Sequence, residues 1–176
     1  MDTPLGELEV DQEVVDELRR TKRFSQMSRR NDEVEHSLEM HLPMLQHVFK
    51  SVEIKPKVIP IVVGGLTRET EREYAAILAP YFAQADTLFI VSSDFCHWGD
   101  DFDFTPYENL RGGDGGSVDE ESAEWTPVWE FIQALDMAGL ELVEKQDAEA
   151  FHRYCEETDN TICGRHPISI LLAMLQ

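Results

Sequence analysis

The chain has 176 residues, 42% of them apolar, which suits one domain with a core of its own. Its 35 acidic against 15 basic residues give a formal net charge of −20, which repels phosphate backbones and argues against nucleic acid as a partner. There is no uninterrupted apolar run of about 18 residues and no basic-then-apolar leader, so neither a membrane span nor a secretory signal is expected. Three cysteines without CxxC spacing, Cys96, Cys155 and Cys163, point to free thiols in a reducing compartment. The expected location is the cytoplasm, with the nucleus also open.

Val10, Val14 and Leu18 recur at helical spacing after acidic residues and are followed by Arg19, Arg20, Lys22 and Arg23, an order that complements a helix dipole and predicts a helix ending near Phe24. Glu33 to Phe49 also reads as helical, and Pro43 is expected to kink it or to begin a fresh helix, the kink being preferred. Lys57 to Gly65 holds the apolar run Val58-Ile59-Pro60-Ile61-Val62-Val63, which predicts a strand buried on both faces, weakened at its centre by Pro60. Thr67 can cap a helix whose Tyr74, Ile77, Leu78 and Tyr81 share a face, and a second strand is expected at Thr87 to Ser93. A strand, helix, strand order predicts parallel neighbours, so the expected fold class is α/β, with a parallel or mixed central sheet flanked by helices.

From Gly99 to Glu124 there are nine acids and one base, Arg111, and no periodicity, so an acidic flexible insertion is expected at about 100–125. Thr126-Pro127 then opens a helix carrying Val128, Phe131, Ile132 and Leu135 and stopped by Gly139. A short helix from Asp147 turns Phe151 and Tyr154 inward, and Pro167 to Gln176, apolar nearly all round, predicts a helix covered on every side. Two doubly buried strands would leave open edges, so the chain is expected to be one partial domain, cut at both ends.

Three polar clusters could carry chemistry. Ser92-Ser93-Asp94-Phe95-Cys96-His97-Trp98-Gly99 stands where the second expected strand runs into loop, the usual place for a site in an open α/β sheet, and Asp94 could orient His97 for proton exchange. In Glu35-His36-Ser37-Leu38-Glu39-Met40-His41, residues Glu35, His36 and Glu39 can share a helix face, but His36 and His41 diverge and the HExxH pattern is missing; a solvated face is the ordinary explanation. In Asn160-Thr161-Ile162-Cys163-Gly164-Arg165-His166-Pro167, Arg165 and His166 stand where a helix begins and could meet an anion, although Arg165 pairing with a carboxylate such as Asp94 or Glu39 is favoured. Cys163 is expected to be a packed thiol.

These three motifs, in this order, resemble those of the Memo family, relatives of the class III extradiol (LigB-like) non-haem iron dioxygenases. The resemblance implies a dioxygenase-like fold, a pocket linked to iron or copper redox chemistry, and protein partners in cell-motility signalling. It implies that His97 is the pocket's acid-base histidine and Asp94 an adjacent pocket carboxylate, and it implies no other pocket residue; Cys96, His36, Glu39, His41, Arg165 and His166 are further candidates for pocket or ligand contacts from their place in the three motifs. The family's metal ligands are expected outside residues 1–176, with none of the three cysteines among them, so tight metal binding by this chain is not expected. The competing expectations are a metal-dependent oxidoreductase acting on a small molecule, a non-catalytic peptide- or phosphotyrosine-binding adaptor, and an inactive truncated product.

Overall fold

The structure, a computed structural model, describes residues 1–52, 54–106 and 127–176. Most of the expected acidic insertion and the capping residue Thr126 lie outside the described residues. The chain divides into two units, Met1–Val63 and Gly64–Gln176. Among the described residues it is an α/β chain of seven α-helices with small paired strands.

In the first unit β1 (Asp2–Thr3) pairs antiparallel with β2 (Gly6–Glu7), and β3 (Glu9–Val10) pairs parallel with β4 (Lys57–Val58). Helix α1 (Gln12–Arg20) is capped by Asp11, whose carboxylate accepts the Val14 N–H at 3.3 Å. It ends before Phe24 because the Thr21 hydroxyl closes on the Leu18 carbonyl at 2.6 Å and Lys22 turns left-handed at φ 61°. A four-residue helix α2 (Arg29–Asp32), capped by Ser28, was not foreseen.

The kink expected at Pro43 is not formed. Residues 33–41 make turns, and α3 (Leu42–Ser51) starts afresh with Pro43 in its first turn, where the missing N–H has no helical acceptor to lose. Glu35, His36 and Glu39 therefore share no helix face. Glu35 instead ties the turn, accepting N–H bonds from Ser37 at 2.6 Å and Leu38 at 3.0 Å and a bond from the Ser37 hydroxyl. Partial burial opposes its ionisation, but these bonds together hold its carboxyl below the usual range.

The two expected long strands are also corrected. Only Lys57–Val58 joins a ladder, since β3 offers two residues and Pro60 has no N–H to donate. Residues 87–93 form no strand among the described residues, because no chain lies alongside to take their hydrogen bonds. The pleat is nonetheless visible in the burial: Thr87, Phe89 and Val91 are half-buried while Leu88 is 72% and Ile90 49% exposed.

Among the described residues the second unit has four α-helices: α4 (Arg68–Phe82), α5 (Val128–Glu144), α6 (Ala148–Thr158) and α7 (Arg165–Met174). Thr67 caps α4 in a reciprocal box with Thr70, as its position predicts, and Asp147 caps α6 by accepting the Ala150 N–H at 2.9 Å. Gly139 does not stop α5, which runs on to Glu144. A Cβ on Gly139 would lie 2.9 Å from the Tyr154 ring, so the glycine serves close packing between α5 and α6. The core gathers Phe151, Tyr154, Cys155, Ile162, Ile168 and Leu172, with Val91, Phe95 and Leu135 among the half-buried side chains packed on it.

Phe151 is wholly buried at the centre of this cluster. Truncating it to alanine removes its apolar burial and leaves a void, so Phe151→Ala is expected to destabilise the chain by about 3–5 kcal/mol in urea unfolding. A loss below about 1 kcal/mol, the size of a surface substitution effect, would contradict this core.

Candidate functional site

Two loop segments of the second unit meet at the candidate site. One is 92–99, leading out of the irregular stretch after α4. The other is 159–164, between α6 and α7, released from helix where Asp159 turns left-handed at φ 49° and anchored by the buried Ile162. Gly164 permits their close approach: a Cβ there would lie 2.3 Å from the Ser93 Cβ and 2.7 Å from the Ser92 carbonyl oxygen. The Gly164 N–H donates to the Ser93 hydroxyl at 3.0 Å, and that hydroxyl donates to the Asp94 carbonyl at 2.8 Å.

Thr161 clamps His97. Its hydroxyl accepts the His97 backbone N–H at 2.6 Å and donates to the His97 carbonyl at 2.9 Å. The His97 ring Nδ1 lies 2.8 Å from the Thr161 carbonyl. A carbonyl can only accept, so Nδ1 carries the proton and, in the neutral ring, Nε2 presents a lone pair. Nε2 faces the Asp94 carboxylate at 3.8 Å, with the Phe102 ring centroid 5.0 Å from the imidazole centroid.

Cys163 completes the group. Its N–H donates to the Asp94 carbonyl at 3.2 Å, and its sulfur accepts the Asp94 N–H at 3.1 Å. The nearest ligand atoms of Asp94, His97 and Cys163 all lie within 4.8 Å of one another. The expectation of a packed Cys163 is corrected: Ile162 turns inward and Cys163 outward, leaving it exposed. Asp94 is 80% exposed, so this unit leaves the group open to solvent.

The other expected contacts stand elsewhere. The Cys96 N–H reaches both oxygens of Asp136 at 3.2 and 3.3 Å, and its thiol is pushed up by burial and then by the Asp136 charge. His166 donates from Nδ1 to Glu71 at 2.6 Å, with only 15% and 7% of the two side chains exposed, while its Nε2 accepts the Leu66 N–H at 3.4 Å. Both ring nitrogens are thus spent, one on Glu71 of α4 and one on the segment leading into it. Arg165 is exposed at the start of α7, and the Asp94 carboxylate faces His97 rather than Arg165. His36 and Glu39 are exposed and His41 half-buried on turns of the first unit.

Sequence reasoning missed Thr161, Cys163, Asp136 and Asn160 as members of the site. Cys163 and Thr161 lie inside a motif that was singled out, whereas Asp136 carries no signal, being one more acid on an amphipathic helix. The three thiols are chemically distinct as placed: all are free, and burial lifts Cys155 to about 11. Brief alkylation at pH 8 is expected to modify Cys163 and to spare Cys155, whose thiolate fraction there is about a thousandth. Peptide mass mapping showing equal modification of the two would contradict the placement of the 160–163 segment.

Comparison with known proteins bears on this arrangement. The family model described as Memo-like protein matches residues 1–176. The chain is 39% identical over 170 residues to Protein MEMO1 of Xenopus laevis and 38% to that of Homo sapiens, in each case covering 97% of this chain and 52% of the relative. It is 41% identical over 170 residues to Protein memo-1 homolog of Caenorhabditis elegans, covering 97% of this chain and 44% of the relative. The chain thus spans about half the length of the curated relatives it matches. A match along the entire chain, with all three motifs inside it, means that the chain belongs to the Memo family.

Proposed function

We propose that this chain contributes a proton-handling and metal-ligating wall to a Memo-type pocket of dioxygenase-like fold, in a redox role linked to iron or copper, with Cys163 as a ligand against the expectation that none of the three cysteines is one. The single observation that carries this reading is the convergence of three acceptors. When the imidazole is neutral, the His97 Nε2 lone pair, the Asp94 carboxylate and the Cys163 sulfur face one another within 4.8 Å. A cation between them, either a proton on Nε2 or a metal ion, relieves what would otherwise be mutual repulsion.

The donor set fits a transition metal. Imidazole nitrogen and cysteine sulfur suit iron, copper or zinc, a carboxylate oxygen is compatible with all three, and the sulfur is held in place by the Asp94 N–H. The Nδ1–H bond to the Thr161 carbonyl is the fixed outer contact that ligating histidines usually have, and it leaves Nε2 as the inward atom. When bound, iron or copper would supply one-electron exchange and Lewis acidity. His97 would take up or release a proton at Nε2, with Asp94 orienting the ring and stabilising the imidazolium.

A peptide- or phosphotyrosine-reading adaptor, with protein partners in signalling, is the second reading. The exposed Arg165 at a helix start favours it, while His166, committed to Glu71, adds nothing to it.

Titration of the chain with cobalt(II) under anaerobic conditions tests the first reading. Thiolate-to-cobalt charge-transfer absorption is expected in the native chain and lost in Cys163→Ser, and His97→Ala is expected to weaken binding at least about tenfold, or ~1.4 kcal/mol. Equal cobalt affinity in the native chain and both variants would overturn it.

A further inference from the structure

Asp136 lies on α5, outside the three motifs, yet both segments of the site end on its carboxylate. On one side its two oxygens take the Cys96 N–H at 3.2 and 3.3 Å, one residue before His97. On the other, Oδ1 takes the Asn160 Nδ2–H at 3.0 Å, one residue before the Thr161 clamp. The second Nδ2 hydrogen of Asn160 goes to the Tyr154 hydroxyl at 2.8 Å, and that hydroxyl donates to the Leu135 carbonyl at 2.8 Å, back on α5.

This closed set fixes the orientation of the Asn160 amide. Turning it over would set Oδ1 against the Asp136 carboxylate, so the nitrogen must face α5. The consequence is visible: Asn160 is 1% exposed, and its Oδ1 has no partner among the described residues. A buried acceptor left unpaired is unfavourable and uncommon in native proteins. It persists here because both amide hydrogens are held by α5 and α6, which locks the start of the 160–163 segment.

We infer that Asp136 is a positioning residue for the site, setting the offset between the segment that carries Asp94 and His97 and the segment that carries Thr161 and Cys163. One carboxylate, accepting from both backbones' neighbourhoods, decides whether the His97 ring meets the Thr161 carbonyl and whether the Cys163 sulfur meets the Asp94 N–H. Asp136 touches none of the three converging atoms itself. Its functional consequence rests on the metal-site reading proposed above, whereas its effect on the His97 ring does not.

The test uses the metal-free chain first. The ring Nδ1–H resonance of His97, assigned by its loss in His97→Gln, is expected to be sharp in the native chain and to broaden or vanish in Asp136→Ala. Leu142→Ala, which removes a half-buried side chain packed against the core cluster, serves as a destabilised control and is expected to retain the resonance. Should Asp136→Ala fail to fold, Asp136→Asn is read the same way, since it keeps one acceptor but presents an amide to two donors. In the cobalt titration the Asp136 variant that folds is expected to bind about 10- to 100-fold more weakly than the native chain, the range for loss of an outer contact that orients a ligand. An unchanged Nδ1–H resonance in a folded Asp136 variant overturns the inference. Absence of cobalt binding in the native chain defeats the metal reading and leaves the ring result to decide the positioning role by itself.

Discussion

The site depends on one short-range constraint, the clamp that Thr161 places on His97. A single hydroxyl accepts from the His97 N–H and donates to the His97 carbonyl, while the Thr161 carbonyl takes the ring Nδ1–H. Three bonds between two residues fix a backbone, a ring orientation and a tautomer together. With Nδ1 occupied, Nε2 can face only towards Asp94, and the 160–163 segment, held alongside, carries Cys163 into the same place. Loops alone rarely hold such precision, because their backbone groups would otherwise turn to water.

The packing beneath explains how loops do so here. Ile162 is buried in the cluster formed by α6 and α7, so the segment between these helices is pinned by its apolar residue and presents Thr161 and Cys163 on the other side. Gly164 then lets the neighbouring chain approach closer than any side chain would allow. The Glu71–His166 pair adds a polar staple between α4 and the start of α7. Breaking either partner would leave the other buried without its bond, which makes the pair a stability element and removes His166 from the ligand-binding candidates.

Much of the helical part of this chain can be read from its residues, because caps and apolar spacing are local: Thr67, Asp147 and the inward Phe151 and Tyr154 stand where the pattern places them. Sheet pairing is not local. The run at 87–93 has strand chemistry and strand-like alternation of burial, but a ladder needs a neighbour that the run itself cannot supply. Gly139 and Pro43 misled for a related reason: the demand on Gly139 comes from Tyr154 across a helix interface, and Pro43 is harmless in a first turn. The motifs bring Asp94 and His97 forward as candidates, whereas the outward turn of Cys163 follows from Ile162 turning in, and Asp136 acquires meaning only once three segments are brought together.

The most direct measurement of the clamp is site-resolved amide hydrogen exchange of the native chain against Thr161→Val, which keeps the side-chain shape and removes the hydroxyl. The account predicts that the His97 and Cys163 amides are protected in the native chain, and that in the variant both exchange faster while the Phe151 amide in α6 remains slow. A His97 amide that exchanges as freely in the native chain as in the variant would contradict the clamp, and with it the convergence of Asp94, His97 and Cys163.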